Sequence, residues 1–274
     1  MRLKLTLLPL NPRTSVPINY NYPLAAAIYK LLAQASPEYA DWLHEKGYRS
    51  PADRLLKLFT FSRLNIPQAR PQGNTLAAGD ERPWLLQIAS PMEDEFVQNF
   101  VLGLFQQQNL EIGGPGAVGR FLIEQVEALA PPVFKETMQF KALSPIVVST
   151  MREHHGKLQP YYYRAHETEL GEAIRQNLLQ KYQTIQGEAP ADTLLVFEID
   201  RGYLERQGGP EKVSKLIAIK EGTAEETRIK GFMCPFTLAG SPELMRVAWE
   251  CGVGDHNSMG CGMVEVIIGE RKSG

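Results

Sequence analysis

Three side chains in the N-terminal part of the sequence, Tyr29, His44 and Lys57, are of types that suit the breaking of a phosphodiester bond. Cleaving RNA without a metal requires a base near the 2′-hydroxyl, an acid for the departing 5′-oxygen and a cation for the charge on the phosphorane. Histidine, with an ordinary pKa of about 6.5, can donate a proton near neutral pH, whereas tyrosine, near 10, is a poor base unless neighbours stabilise its anion. Lysine suits the charge-stabilising role.

Each of these residues also fits a plainer structural role. Tyr29 could be a core residue with a satisfied hydroxyl, His44 could cap the C-terminus of a helix, and Lys57 could protect a strand edge. The residue types alone therefore leave both interpretations open.

The same part of the sequence is locally basic. Between positions 46 and 70 the only acidic residue is Asp53, and the basic residues are Lys46, Arg49, Arg54, Lys57, Arg63 and Arg70. The interleaved Tyr48, Phe59 and Phe61 could position bases beside phosphate-binding side chains, as in proteins that bind single-stranded RNA. Such a run is equally typical of a solvated face.

A glycine-rich loop lies near the end of the sequence. Gly252-Val253-Gly254 and Gly260-Cys261-Gly262 follow a predicted helix over 241–251, which has Ser at its N-cap, and precede a predicted strand over 263–268. A dinucleotide-binding fingerprint needs the reverse order, since the phosphates bind at the N-terminus of the helix that leaves the loop. The glycines predict a sharply bent backbone that allows a close approach, or simply a glycine C-cap followed by an irregular turn.

The elements that would position these residues form two similar halves. The first half predicts strand, helix, strand, strand, helix, strand, with strands at 1–7, 57–62, 84–89 and 121–126 and helices carrying Leu24, Ile28, Leu31 and Leu32 or Phe96, Phe100, Leu104 and Phe105 on one face. This is the order of a ferredoxin-like fold. Ser36-Pro37 starts a further short helix through His44 that ends at Gly47, and 67–80 is predicted to be a turn-rich connection.

The second half predicts the same order. Its expected elements are a strand over 145–150, a helix over 167–182, a strand over 194–199, one or two strands between 213 and 238, and the final helix and strand around the glycine loop. We therefore expect an α+β protein of two tandem ferredoxin-like (RRM-like) domains, 1–130 and 141–274, each an antiparallel sheet with helices on one face. The joint lies near 129–141, where Pro131-Pro132 interrupts the pattern.

Composition narrows the possible functions. The chain of 274 residues has a formal net charge of −2, so no overall field draws it to nucleic acid, and any RNA binding must come from local patches. Its three cysteines form no C-x-x-C pair, which argues against a disulfide framework or a zinc ribbon. No apolar run approaches the roughly 18 residues of a membrane span. We expect a cytoplasmic protein without a membrane partner.

Two further motifs do not predict a ligand site. The Gly113-Gly114-Pro115-Gly116 segment lacks the Lys-Ser or Lys-Thr of a phosphate loop and is interpreted as a hairpin turn. The neighbouring His154 and His155 diverge on a helix or a strand, so they make a poor metal site and are expected in an exposed turn. We expect neither a metal nor a cofactor.

Several motifs in order resemble one known family. The glycine loop, preceded by a helix and followed by a strand, resembles the loop of the repeat-associated (RAMP) superfamily of CRISPR proteins. The wider match is to CRISPR repeat-processing endoribonucleases, known as CRISPR-associated protein six, and covers nearly the whole chain. Its motifs are YNYPLAAAIY at 20–29, YADWLHE at 39–45, KLFTFS at 57–62, LSPI at 143–146 and the terminal glycine loop.

The resemblance implies a metal-independent endoribonuclease that cuts precursor CRISPR RNA within its repeats, giving 2′,3′-cyclic phosphate and 5′-hydroxyl ends. It implies Tyr29 as base, His44 as acid and Lys57 as charge stabiliser. Because the segment Tyr48 to Leu56 is longer than in the shortest family versions, Lys46, Arg49 or Arg54 could replace Lys57. Expected RNA contacts are Lys46, Arg49, Arg54, Arg63, Gly252, Gly254, Asn257, Ser258, Gly260 and Gly262.

One alternative from another class shares the fold and the loop. It is a non-catalytic RNA-binding subunit of a CRISPR effector complex, which would not need an acid at His44. A nucleotide-dependent metabolic enzyme is disfavoured by the helix-loop-strand order and the absence of a Walker lysine. The expected partners are the precursor CRISPR RNA repeat and an effector complex, and the sequence leaves monomer or homodimer open.

Overall fold

The computed structural model of the protein describes residues 1–114 and 116–267. The N-terminal half has three helices, α1 (Asn21–Ala35), α2 (Pro37–Glu45) and α3 (Gln98–Gln106), the last preceded by a π-helical turn over Glu93–Val97. Its strands are β1 (Arg2–Pro9), β2 (Ser15–Pro17), β3 (Tyr48–Arg49), β4 (Leu55–Leu56), β5 (Thr60–Phe61), β6 (Arg70–Gln72), β7 (Thr75–Ala77), β8 (Trp84–Ala89), β9 (Asn109–Gly114) and β10 (Ala117–Leu129).

The main sheet of this half is antiparallel and has the strand order β5-β8-β1-β10-β9. If β5, β8 and β10 are counted as the second, third and fourth strands, the order is that of a ferredoxin-like fold, with β9 added at the edge. Helices α1 and α3 pack against one another and cover the sheet with Ile28, Leu32 and Phe100, joined by Phe96 of the π-helical turn, all fully buried. The predicted fold of this half is confirmed.

Two expectations for the N-terminal half are wrong in detail. Only Thr60–Phe61 of the strand expected over 57–62 pairs with a neighbour, because Leu58 adopts a left-handed conformation with φ of 49°, which interrupts an extended strand. Phe105 is 76% exposed rather than on the buried face of α3. The expected connection over 67–80 contains β6 and β7, which form a small sheet with β2.

The C-terminal half repeats the architecture. Its strands are β11 (Thr137–Ala142), β12 (Ser149–His154), β13 (Lys157–Tyr162), β14 (Leu195–Ile199), β15 (Ser214–Ile219), β16 (Thr227–Phe232), β17 (Phe236–Gly240) and β18 (Val264–Val266), and its helices are α4 (Leu170–Gln186), α5 (Arg201–Arg206) and α6 (Pro242–Cys251). The antiparallel sheet has the order β14-β17-β11-β18, again the ferredoxin-like order. The tandem arrangement predicted from the sequence is therefore confirmed.

The strand that opens this second sheet is not the one expected over 145–150. It is β11, which lies in the segment expected to join the domains, whereas 145–150 forms isolated bridges at Ile146 and Val147 and then enters β12. β12 and β13 form a hairpin. Its first strand ends at His154, and His155 lies in the turn as expected. The proposed domain limits, 1–130 and 141–274, stay a prediction. Pro115 of the predicted hairpin turn and Ile268 of the last predicted strand lie outside the described residues.

A buried arginine joins the two halves. Arg2 of β1 is 1% exposed, and its guanidinium donates hydrogen bonds to the backbone carbonyls of Trp249 at 2.6 Å and Val264 at 2.8 Å. It also lies 4.1 Å from the centre of the Trp249 ring. These contacts connect the first strand of one sheet to α6 and β18 of the other. Within the described chain, no helix is long and apolar enough to cross a membrane.

Candidate active site

Tyr29 and His44 meet at the corner between α1 and α2. Their ring centroids are 5.3 Å apart and the rings are nearly perpendicular, at 86°. Both line a cavity of about 370 Å³ together with Met259, which comes from the distant glycine loop. The two halves of the chain thus contribute to one groove.

The corner is fixed by short-range interactions. Ser36 caps α2 by accepting a hydrogen bond from the Tyr39 N–H at 3.2 Å, and Pro37 occupies the first turn of the helix, where its missing N–H costs nothing. His44 lies in the last turn of α2. The spacing of the two helices therefore brings the exposed His44 side chain beside the partly buried Tyr29 ring.

Lys57 reaches the same corner from the other side. Its ammonium donates a hydrogen bond to the backbone carbonyl of His44 at 2.7 Å. The chain can pass this closely because position 47 is glycine, with φ of 62°, and a Cβ there would lie 2.6 Å from the carbonyl oxygen of Leu56 and 3.0 Å from Cδ of Lys57. The structure thus brings together all three residues that the sequence singled out.

Burial shifts the pKa values of two of these groups. Desolvation raises the pKa of Tyr29, and the neighbouring Tyr39 adds to that shift. Desolvation lowers the pKa of Lys57. Tyr29 is consequently a neutral hydrogen-bonding group at neutral pH, and its phenolate, the form that could act as a base, is less populated than that of an exposed tyrosine.

The glycine loop is bent at four left-handed glycines, Gly252, Gly254, Gly260 and Gly262, with φ between 72° and 79°. All four are buried, and the groups that approach them belong to the protein. A Cβ at Gly254 would lie 2.2 Å from the carbonyl oxygen of Val147, and one at Gly260 would lie 2.3 Å from the Phe61 ring. The expected close approach is therefore made by the chain itself, and these glycines present little surface to RNA.

The tip of the loop borders a second cavity, of about 330 Å³, between the two halves. Lys57, Arg54, Asn257 and Ser258 line it, and Met259 lines both cavities. Asn257 already uses part of its hydrogen-bonding capacity within the protein, since its side-chain amide donates to the Cys261 carbonyl at 3.0 Å. The candidate catalytic groove and a basic cleft thus share one wall.

The other expected RNA contacts lie away from these cavities. Lys46 is the C-cap residue of α2 and is exposed to solvent, and Arg49 forms an ion pair with Asp53. Arg63 is exposed just after β5, where its guanidinium lies 3.7 Å from the Met233 sulfur. The basic segment is therefore split among three surfaces.

Several residues that build the site were not predicted. Met259 closes the groove, and Asn177 and Lys181 of α4 bind the glycine loop from behind. An apolar residue within the loop and a lysine on the apolar face of a helix were the signals available, but both are common in ordinary cores. Among the residues that the structure describes, no group of three or more His, Cys, Asp or Glu side chains could hold a metal ion.

Comparison with known proteins supports a single family. Residues 15–127 match the family described as "CRISPR-associated protein Cas6, N-terminal", and residues 129–266 match "CRISPR associated protein Cas6, C-terminal". The chain is 31% identical to "CRISPR-associated endoribonuclease Cas6 1" of Methanocaldococcus jannaschii over 92% of this chain and 87% of that protein. It is 27% identical to "CRISPR-associated endoribonuclease Cas6" of Pyrococcus furiosus over 92% of this chain and 83% of that one.

A solved structure agrees with the sequence relatives. It is described as "Characterization of a Cas6-related gene from Pyrococcus furiosus", and superimposes with a TM-score of 0.80 at 25% identity, covering 98% of this chain and 99% of that one. The two matched segments account for nearly all of the described residues and meet close to the joint between the two sheets. The chain belongs to the Cas6 family of CRISPR-associated proteins.

Proposed function

We propose that the chain is an endoribonuclease that cleaves precursor CRISPR RNA within its repeats. The observation that carries the proposal is the groove in which His44 and Tyr29 face one another, with Lys57 bound to the backbone of His44. Relatives named as CRISPR-associated endoribonucleases support the reaction class. The groove adds residues suited to carry the reaction out.

The chemistry we propose is an intramolecular transesterification. The 2′-hydroxyl releases its proton to solvent water as its oxygen attacks the adjacent phosphorus, the bond from phosphorus to the 5′-oxygen breaks, and the products are a 2′,3′-cyclic phosphate and a 5′-hydroxyl. The leaving 5′-oxygen needs a proton, and we assign its donation to His44, whose side chain is exposed in the groove. Lys57 then stabilises the charge on the phosphorane.

We propose a role for Tyr29 that differs from the role of base expected from the sequence. Because burial raises its pKa, the hydroxyl stays protonated at neutral pH. A neutral phenol can still accept a hydrogen bond from the 2′-hydroxyl and donate one to a phosphate oxygen. We propose that Tyr29 orients the attacking group in this way.

We propose that RNA also occupies the basic cleft. Arg54 and Lys57 line it together with the loop residues Asn257 and Ser258, so cationic and hydrogen-bonding groups lie within one opening beside the groove. The proposed partner is accordingly the CRISPR RNA repeat. Association with an effector complex, and assembly as monomer or homodimer, remain expectations from the sequence, as does a cytoplasmic location.

The test uses end-labelled RNA copied from the CRISPR repeats of the source genome. In excess EDTA we expect a single cut that leaves a 2′,3′-cyclic phosphate, and no cut in RNA that carries one 2′-deoxynucleotide at the cut position. The deoxy RNA should still bind, because most contacts are to phosphates and bases. Cleavage that requires added metal, or that proceeds on the deoxy RNA, would contradict the mechanism.

A result in which the repeat RNA binds tightly but is never cut would support the alternative of a non-catalytic RNA-binding subunit. That outcome would leave the family and the fold unchanged and remove only the catalytic roles of Tyr29, His44 and Lys57. The same assay therefore separates the two functions.

A further inference from the structure

A buried lysine lies directly behind the glycine loop. Lys181 of α4 is 2% exposed, and its ammonium donates hydrogen bonds to the backbone carbonyls of Gly252 at 2.7 Å and Gly254 at 2.8 Å. Asn177, one turn earlier on the same face of α4, accepts a hydrogen bond from the Gly254 N–H at 3.1 Å and donates one to the carboxylate of Asp255 at 3.3 Å. Two side chains of one helix thus bind the first half of the loop.

Apart from these hydrogen bonds, little offsets the cost of burying the Lys181 ammonium. Burying an ammonium is costly unless it is paired or fully hydrogen-bonded. Within residues 1–114 and 116–267, Lys181 forms no ion pair, and the Asp255 carboxylate instead accepts hydrogen bonds from the backbone and hydroxyl of Ser149, both at 2.8 Å. Desolvation accordingly lowers the pKa of Lys181 to about 8. An apolar residue would avoid this cost, so stability alone does not explain a lysine at this position.

The second half of the loop is bound by the other domain. The side-chain amide of Asn21 donates to the carbonyls of Met259 at 3.0 Å and Gly260 at 3.2 Å, and the hydroxyl of Thr60 donates to the Cys261 carbonyl at 2.9 Å. The tip of the loop runs from Asp255 to Met259, which lies at the second attachment and closes the groove that holds Tyr29 and His44. The tip is therefore placed by α4 on one side and by the N-terminal domain on the other.

We propose that Lys181 is a positioning residue for RNA cleavage: it fixes the first half of the glycine loop and thereby sets the position of the loop tip against the catalytic groove. The inference rests on the proposed function for its consequence, though not for its geometry. Because Lys181 is buried, it acts through the loop and not on the reacting atoms. Misplacing a catalytic wall by about 1 Å can lower a rate by about 10²-fold.

The test compares three variants with the native chain. Lys181→Met keeps the length of the stem and removes the donors. Lys181→Gln keeps an N–H donor with a shorter reach, and so tests for partial rescue. Lys212→Met makes the same chemical change at an exposed position of the C-terminal half and is the matched control. The readouts are the single-turnover cleavage rate at saturating protein, the dissociation constant for 2′-deoxy repeat RNA, and the hydrogen exchange of loop amides.

The informative amides are those of Val253 and Gly262, which donate to the carbonyls of Gly262 and Pro145, both at 2.8 Å. We expect Lys181→Met to lower the saturated rate by about 10²-fold, to speed exchange at these amides, and to change RNA affinity much less than the rate. Lys181→Gln should fall between the two in rate and exchange. Lys212→Met should match the native chain in every readout.

A folded Lys181→Met or Lys181→Gln variant that cleaves at the native rate, with native exchange at Val253 and Gly262, would overturn the proposal. A loss confined to RNA affinity would also overturn it, since that result would make Lys181 a binding residue. If Lys181→Met shows no cooperative unfolding, Lys181→Gln decides the question. If the native chain binds but never cuts RNA, the proposed function fails while the exchange data still decide whether Lys181 fixes the loop.

Discussion

The candidate catalytic groove and the glycine loop lie against one another but are built in opposite ways. His44 is an exposed side chain in the last turn of a short helix, and its ring packs against that of Tyr29. The loop is buried backbone whose four left-handed glycines each meet neighbouring atoms closely. The comparison teaches that the most conspicuous motif in this sequence encodes shape, whereas the proposed chemistry depends on the single side chains Tyr29, His44 and Lys57.

The largest effect, on the cleavage rate, should come from removing the exposed imidazole of His44. Removing a general acid typically costs 10²–10⁴-fold in rate, and we expect a loss of about that size for His44→Ala with almost no change in the free energy of unfolding. His155→Ala, in the exposed hairpin turn, is the matched control and should cleave normally. Single-turnover cleavage and urea unfolding of both variants provide the measurement. Native cleavage by His44→Ala would assign the acid to another residue.

A substitution in the glycine loop, unlike His44→Ala, should act mainly by lowering the stability of the protein. In Gly262→Ala the new Cβ would lie 2.0 Å from the Val253 carbonyl oxygen, so the loop must move in addition to bearing a left-handed alanine. We expect a loss of about 3 kcal/mol or more in the free energy of unfolding.

Gly156→Ala separates the two contributions to that loss. Gly156 has a similar φ of 74° but nothing within 4 Å of the added Cβ, so only the strain of about 1–2 kcal/mol applies. Urea unfolding should therefore show a clearly smaller loss for Gly156→Ala than for Gly262→Ala. Equal losses would mean that the close approach at Gly262 is not rigid.

The buried cation behind the loop gives a smaller, pH-dependent effect. Its pKa is about 8 in the folded chain and about 10.5 when exposed, so between these values the unfolded chain holds a proton that the folded chain has released. The contribution of Lys181 to stability therefore rises with pH across that window. From pH 7.5 to 9.5, the native free energy of unfolding should rise by about 2 kcal/mol relative to that of Lys181→Met.

This prediction uses a difference between two proteins because other groups titrate nearby. Cys251 and Asp255 face the same ammonium and are present in both chains, and burial raises the pKa of Cys251 to about 12, above the window. Urea unfolding at the two pH values measures the difference. A difference that stays constant with pH would show that the Lys181 ammonium is well solvated.

The smallest effect is expected at the buried member of the groove. If Tyr29 orients the 2′-hydroxyl as a neutral phenol, Tyr29→Phe removes its hydrogen bonds to the 2′-hydroxyl and to the phosphate and should slow cleavage by about tenfold, with an unchanged pH profile. Tyr203→Phe, a partly buried tyrosine of the C-terminal half, is the control. A loss near that of His44→Ala, together with a lost limb in the pH profile, would instead support tyrosinate as the base.

Local signals account for the parts of the fold that the sequence predicted. The caps Ser36 and Ser241 predicted the starts of α2 and α6, and the apolar spacing of α1 matches its buried face. The alternation of polar and apolar residues in β11, TMQFKA, is itself a strand pattern, but the nearby Pro131 and Pro132 favour a linker at this point in the sequence. Its partners lie far along the chain, at β17 and β18.

In the candidate site, too, the local contacts could be predicted from the sequence and the contacts between distant segments could not. Tyr29 and His44 lie on consecutive helices, so their meeting follows from local structure and could be predicted. Met259 joins them only through contacts between the two halves, as does the hydrogen bond from Thr60 to Cys261. No pattern in the sequence specifies which helix face binds a distant loop, so the wall of the groove could not be predicted.

Arg2 has a consequence for the order in which the protein is made. Every strand of the first sheet lies before residue 130, so that sheet can form while the rest of the chain is still being synthesised. The guanidinium of Arg2, however, finds its acceptors 247 and 262 residues later, at Trp249 and Val264. During translation the N-terminal domain must therefore keep an unpaired cation at its surface until α6 and β18 have left the ribosome. The groove, closed by Met259, is completed in the same last step, so a truncated chain would carry His44 in a folded domain without a finished site.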